Sequence, residues 1–269
     1  MKVECIHFDL DSVLYIPSAF LENTLKLSVK VMIENGLRAD FAEALAKLKE
    51  IRATDSNASD HFDRLCHYFN GSIDPIVIAS GVERYWDCKS GNMMAAPHAH
   101  YVLGNLSQNC PLSIISNGRP VKQAAKLVRL GLAHFFTHYD PRKGVYERFF
   151  YATDDPALVK PNPFLWEKAR QDINFSYDHA IMVGDRYWAD MLGARRLGMT
   201  TVKIDQGEHR HESIVEAYEK KICSASISGI TGSREEILAA MQPDYTIKGL
   251  EELPAIVRSI EGEQRTHSP

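Results

Sequence analysis

The chain reads as a doubly wound, Rossmann-like α/β protein with an inserted all-helical domain, and three observations predict it. Short apolar runs that end in loop-forming polar residues recur along the sequence. Helical patterns fall between them. One interval, between the first run and the second, keeps helical periodicity and contains no strand-like run. Runs without polar–apolar alternation belong to strands covered on both faces, and their alternation with helices indicates a parallel sheet.

The first run spans residues 3–8. Four helical patterns follow, at 19–34, 41–51, 61–69 and 76–87. A helical block inserted there is expected to act as a lid, because the ligand crevice of an open α/β sheet lies at the carboxyl ends of its strands. The strand rhythm resumes at 112–115, 180–183 and 201–204, with helical patterns at 121–130, 163–172 and 187–197, and a last strand and helix at 244–247 and 250–260. Residues 139–159, with Pro141, Gly144 and Pro156, read as a long loop on the site side of the sheet. Residues 207–243 contain a helical piece at 213–222, a Ser/Gly-rich loop at 224–232, and a helix from Ser233 with Glu235 and Glu236 in its first turn. The expected organisation is a core of residues 1–17 and 92–260, a helical cap of residues 18–91, and a frayed tail at 261–269.

Composition narrows the function classes. The 269 residues are 45% hydrophobic and 25% charged, which excludes disorder and coiled coil. A net charge of −4 offers no basic excess for nucleic acid or an anionic membrane. The five cysteines form no CxxC pair and suit neither a disulfide framework nor a four-ligand zinc site. An acid, Glu4, interrupts the opening apolar run where a signal peptide stays neutral, and no run of about eighteen apolar residues could span a membrane. A cytoplasmic monomer or homodimer is the expectation.

Chemistry concentrates after the strand-like runs. Asp9 and Asp11, in Phe8-Asp9-Leu10-Asp11-Ser12, follow the first one. Paired carboxylates at the end of a buried strand need a cation, and Mg²⁺, with its preference for oxygen ligands, is the ordinary solution; a simply solvated acidic loop is the plainer alternative. Ser116 and Asn117 end the second run and can hydrogen-bond phosphate oxygens at the start of the next helix. Asp185 and Asp190 follow the third run, and Lys160, in Val159-Lys160-Pro161, could neutralise an anion and sit between acids. Four loops supplying complementary groups are what a shared catalytic crevice produces.

The order Asp9-x-Asp11-x-Val13, Ser116-Asn117, Lys160-Pro161 and Gly184-Asp185-x-x-x-x-Asp190 resembles the four motifs of the haloacid dehalogenase superfamily. The resemblance covers residues 1–260 and is greatest to the haloacid-dehalogenase-like or glyceraldehyde-3-phosphate phosphatase subgroup, through 118–123 and Gly184-Asp185-Arg186. It implies that Asp9 is a nucleophile forming an aspartyl-phosphate and that Asp11 is the general acid and base. It further implies that Asp9, the Asp11 backbone carbonyl and Asp185 hold Mg²⁺, and that Ser116 and Lys160 bind the transferring phosphoryl oxygens, with Asn117 assisting. Asp190 would orient Lys160 or a metal-bound water. An acid at position 11 favours a phosphatase over a dehalogenase, since an alkoxide needs a proton on leaving and a halide does not. A phosphomutase and a catalytically silent binding protein on the same scaffold are the rivals.

A small phosphorylated metabolite is the expected substrate, because a helical cap would exclude a polypeptide. His61, Tyr85 and Lys89 in that cap are candidates to contact it, against the plainer readings that Tyr85 packs, Lys89 is solvated and His61 bonds backbone. His209 and His211 lack a third ligand at zinc-like spacing and read as a solvated loop, and Trp86, Trp166 and Trp188 read as packing.

Overall fold

A computed structural model describes residues 2–54, 60–141, 143–223 and 230–262. Its elements run in the order β1 (Cys5–Phe8), α1 (Ser18–Glu34), α2 (Phe41–Thr54), α3 (His61–Asn70), α4 (Pro75–Asn92), α5 (Ala99–Leu106), β2 (Leu112–Asn117) and α6 (Pro120–Arg129). The chain continues through β3 (Thr137–Asp140), β4 (Val145–Arg148), β5 (Phe150–Thr153), α7 (Phe164–Ile173), β6 (Ala180–Gly184), α8 (Leu192–Arg196) and β7 (Thr200–Ile204). It closes with α9 (Ile214–Tyr218), α10 (Arg234–Met241), β8 (Tyr245–Ile247) and α11 (Leu253–Gly262).

The chain divides into two compact units, Met1–Pro17 with Met94–Pro269, and Ser18–Met93. The larger unit is built on a six-stranded sheet ordered β5-β2-β1-β6-β7-β8, with every neighbouring pair parallel. Chain order runs outward from β1 in both directions, so β1 and its two neighbours flank the point where a doubly wound sheet opens a crevice. The central strands β1 and β6 are buried throughout, which is why they read as mainly apolar runs without polar–apolar alternation. The smaller unit is α1–α4, held by Leu25, Val29, Met32, Leu48, Leu65 and Val77 among others. Among the described residues no helix is long and apolar enough to cross a membrane.

The structure corrects the long loop expected over 139–159. Residues 137–148 form an antiparallel ribbon of β3 and β4, and β5 is an edge strand of the main sheet. The ribbon is mostly exposed and its sequence, Thr-His-Tyr-Asp and Val-Tyr-Glu-Arg, has no apolar alternation to betray it. Helix α5, whose Val102, Leu103 and Leu106 are buried, was also not expected. Residues 187–197 are not one helix: a π turn at Tyr187–Met191 precedes α8. Most of the Ser/Gly-rich loop (224–229) and of the tail (263–269) lies outside the described residues.

His7 is the one fully buried histidine of the central strands. Its Nδ1 shares a 2.6 Å hydrogen bond with Ser113 Oγ, its Nε2 has no partner, and its ring lies 4.8 Å from that of Phe175. Burial pushes its pKa from 6.5 down to about 3. The unfolded chain takes up a proton that the folded protein refuses, so this residue's contribution is fully present above pH 6.5 and is lost as pH falls toward 3. The difference in unfolding free energy between wild type and His7→Asn is expected to be constant above pH 6.5 and to shrink below it in denaturant titrations. A pH-independent difference would contradict the neutral, buried assignment.

Candidate active site

Strand register sets the positions of the candidate residues. Phe8 pairs with Ile114 on β2 and with Val183 on β6. Asp9 is the next residue, and Ser116 and Asp185 each lie two beyond the paired position, so all three meet at the carboxyl ends of adjacent strands. The Asp9 N–H donates to the Val183 carbonyl at 2.9 Å, continuing the ladder into the loop. Lys160 comes from the segment between β5 and α7.

Asp9, Asp185 and Asp190 are buried and each offers a carboxylate oxygen within 4.8 Å of the others. Lys160, itself buried, donates from Nζ to Asp9 Oδ1 at 2.8 Å and to Asp190 Oδ1 at 2.6 Å. Burial alone would lower its pKa, but the facing Asp190 and Asp9 carboxylates outweigh that and raise it, so it stays a cation. The second Asp190 oxygen accepts the Arg186 N–H at 3.0 Å. The π turn brings Asp190 back over β6, and Gly184 makes room: a Cβ there would sit 2.4 Å from Asp190 Cβ. Both oxygens of Asp190 are therefore committed to the protein.

Asp185 is the opposite case. It is 1% exposed and neither carboxylate oxygen has a hydrogen-bond partner. Burial pushes its pKa well up, and the Arg186 guanidinium only partly opposes it. The Asp9 carboxyl is likewise raised by burial against the pull of Lys160. An orphaned buried carboxylate beside two more carboxylates fits a hard divalent cation such as Mg²⁺, whose preferred ligands are oxygens. Asp9 and Asp185 have the free coordination to hold it; Asp190 has not.

Asp11 stands apart from that trio. Lys126 Nζ spans its carboxylate, at 2.6 Å from Oδ1 and 2.8 Å from Oδ2. Gln123 Nε2 donates to Oδ2 at 3.2 Å, and the Tyr15 hydroxyl donates to Oδ1. Burial would raise the Asp11 pKa; Lys126 and Tyr15 outweigh it and lower it. Ser12, next in the chain, has a left-handed φ of 62°, and Gln206 Nε2 holds this turn by donating to the Ser12 and Val13 carbonyls at 2.9 and 3.0 Å.

Ser116 is buried and its hydroxyl is unpartnered. Asn117, expected beside the substrate, is spent elsewhere: its Nδ2 donates to the Lys160 carbonyl at 3.1 Å and its Oδ1 accepts the Lys160 N–H at 2.8 Å. Both ends of the amide hold the Lys160 backbone, so its side chain positions that lysine. In the helical unit, Tyr85 is packed edge-on to Phe62, with Lys89 Nζ 5.6 Å and the Arg52 guanidinium 5.7 Å from its ring. His61 Nδ1 lies 3.5 Å from Arg52 Nη1. Within their own unit, His61 and Tyr85 thus flank Arg52, and Lys89 lies against the Tyr85 ring.

Sequence reasoning missed Lys126, Gln123, Tyr15, Arg186 and Gln206. Gln123 and Lys126 are one turn apart on α6, a face that could have been found from the helix following Ser116-Asn117. Gln206 carries no spacing signal, because its partners lie more than 190 positions away, whereas Tyr15 stands only four residues after its partner Asp11.

A family model described as HAD-hydrolase-like matches residues 158–230. The chain is 33% identical over 210 residues to a glyceraldehyde 3-phosphate phosphatase of Pyrococcus furiosus, covering 77% of this chain and 83% of that one. It is 30% identical over 260 residues to the Methanocaldococcus jannaschii protein of the same name, covering 96% and 98%. Among solved structures it is similar in fold to a HAD-hydrolase of Bacillus subtilis bound to magnesium, with a TM-score of 0.58 and 18% identity over 96% of this chain and 99% of that one.

The Asp185 carboxylate costs stability wherever no cation compensates it. Asp185→Asn is expected to raise the thermal midpoint by a few degrees in chelator at neutral pH, and to abolish any further rise on adding Mg²⁺. A lower midpoint in chelator would mean that the native carboxylate is already compensated within the protein.

Proposed function

The chain belongs to the haloacid dehalogenase-like hydrolases and is a phosphatase, and from that premise we propose that it hydrolyses a small phosphorylated metabolite with Mg²⁺, through a phosphoryl group carried on Asp9. The observation that carries this reading is the pairing of a buried, cation-starved Asp185 with an Asp9 carboxylate held by Lys160.

Charge accounting supports it. Asp9, Asp11, Asp185 and Asp190 face Lys160, Lys126 and Arg186, four carboxylates against three cations. One divalent cation turns this net −1 into +1, the sign that receives a phosphate monoester dianion. The Asp9 and Asp185 carboxylates and the Asp11 carbonyl would hold the metal, which would neutralise charge on the transferring phosphoryl group.

The protein's own groups do the rest. An Asp9 carboxylate oxygen attacks phosphorus, the phosphorus–ester oxygen bond breaks, and the departing oxygen takes a proton from Asp11, which takes that proton up from solvent as the substrate dianion arrives. Asp11, now a carboxylate, takes a proton from water as the water oxygen attacks phosphorus. The bond to Asp9 breaks, inorganic phosphate forms, and Asp11 is protonated again for the next turnover. Lys160 and the free Ser116 hydroxyl stabilise the equatorial phosphoryl oxygens, where charge builds up. Asp190 and Asn117 hold Lys160 in place from its head and its backbone.

The helical unit Ser18–Met93 is assigned the role of cap, and Arg52, His61, Tyr85 and Lys89 the recognition of the leaving group. Phosphorylated three- to five-carbon sugars and acids are the first substrates to test, since the relatives are named for a triose phosphate. Wild type is expected to release phosphate from 4-nitrophenyl phosphate only with Mg²⁺, and Asp9→Asn to lose at least about 10⁴-fold in kcat with its fold intact. Comparable turnover by Asp9→Asn would remove Asp9 as nucleophile. Lys89→Ala is expected to reorder the sugar phosphates while changing the aryl ester little; equal losses on all would make Lys89 structural.

A further inference from the structure

Asp11 is held by more of the protein than any other carboxylate of the site. Its four contacts, two from Lys126 and one each from Tyr15 and Gln123, use about the four lone-pair positions a carboxylate has. They are not equal. Lys126 grips both oxygens, and Tyr15 shares Oδ1 with it. Oδ2 has Lys126 at 2.8 Å and, as its second contact, only the 3.2 Å approach of Gln123. The same Gln123 nitrogen makes a shorter bond, 2.8 Å, to the Asn117 carbonyl. Oδ2 is therefore the more weakly held oxygen, while Oδ1 is bonded by both Lys126 and Tyr15.

Lys126 itself is fixed for this task. It lies on α6 one turn after Gln123, its ammonium stands 5.5 Å from the centre of the Tyr15 ring, and its side chain is largely buried. A lysine spread over exposed surface loses side-chain entropy on making such a bridge; one already confined by a ring and a helix loses less. We propose that Lys126, with Tyr15, is a positioning residue that fixes the Asp11 carboxylate plane so that Oδ2 takes the proton from water in the hydrolytic half of the reaction. The step is the one written above: a water O–H bond breaks and an Asp11 O–H forms, while the water oxygen bonds phosphorus and the phosphorus–Asp9 bond breaks. The inference rests on the proposed role of Asp11.

The test is pre-steady-state release of 4-nitrophenolate from 4-nitrophenyl phosphate by wild type, Lys126→Met, Tyr15→Phe, Asp11→Asn and the double variant Asp11→Asn/Lys126→Met. A phenolate leaves without help, so phosphoryl transfer to Asp9 should survive loss of orientation and its hydrolysis should not. Lys126→Met is expected to lose about 10- to 100-fold in kcat, part of what a general base contributes, with KM falling in parallel and kcat/KM kept within about threefold. A burst of about one phenolate per enzyme should appear. Tyr15→Phe should move the same way by less, and the double variant should match Asp11→Asn alone, because Lys126 acts through it. Equal losses in kcat and kcat/KM with no burst in Lys126→Met and Tyr15→Phe, beside a burst in Asp11→Asn, would overturn the positioning role while leaving the reaction standing. No burst in Asp11→Asn either, together with no phosphorylated enzyme on acid quench, would instead overturn the reaction itself.

Discussion

The burial of carboxylates at the ends of central strands is the constraint on which the rest of the site depends. A charge taken from water into a protein interior costs several kcal/mol unless it is paired or neutralised. Four aspartates meet that cost in three different ways. Asp9 and Asp190 share Lys160, Asp11 is gripped by Lys126 and Tyr15, and Asp185 is left with both oxygens unpartnered. The unequal treatment divides the labour in the proposed reaction: the shared lysine serves the phosphoryl group, the gripped carboxylate moves protons, and the orphan calls for a metal.

That division follows from the winding of the sheet. Because β1 lies between β2 and β6, residues far apart in the chain, such as Asp9, Ser116 and Asp185, emerge side by side. Lys160 needs more help, since it arrives on the segment between an edge strand and a helix. Asn117 ties its backbone to the end of β2 with two hydrogen bonds, and Asp190 receives its ammonium. A side chain crossing that distance without such support would not hold a fixed geometry.

The parallel sheet and its helical insertion were legible because buried strands leave short, mainly apolar runs without alternation, and because residues 18–91 contain none. The four motifs were legible because each follows such a run or precedes the helix facing it. What escaped shares one physical feature. The β3–β4 ribbon is exposed on both faces and so carries no apolar period, and β5 is a four-residue edge strand. Gln206 acts through hydrogen bonds to the Ser12 and Val13 carbonyls that exist only once the ends of β1 and β7 are side by side, whereas Tyr15 bonds Asp11 within one turn of chain. Asn117 was read as assisting at a phosphate through its amide or its backbone N–H; that its amide also ties down a lysine backbone 43 positions away carries no sequence signal.

The most direct test of the site is a crystal structure with Mg²⁺ and beryllium fluoride, a mimic of an aspartyl-bound phosphoryl group. The expected result is beryllium bonded to an Asp9 oxygen, Lys160 and Ser116 on its fluorides, and the metal held by Asp9 and Asp185 with Asp190 still on Lys160. Beryllium fluoride bound elsewhere, or Asp190 released from Lys160 to ligate the metal, would contradict it.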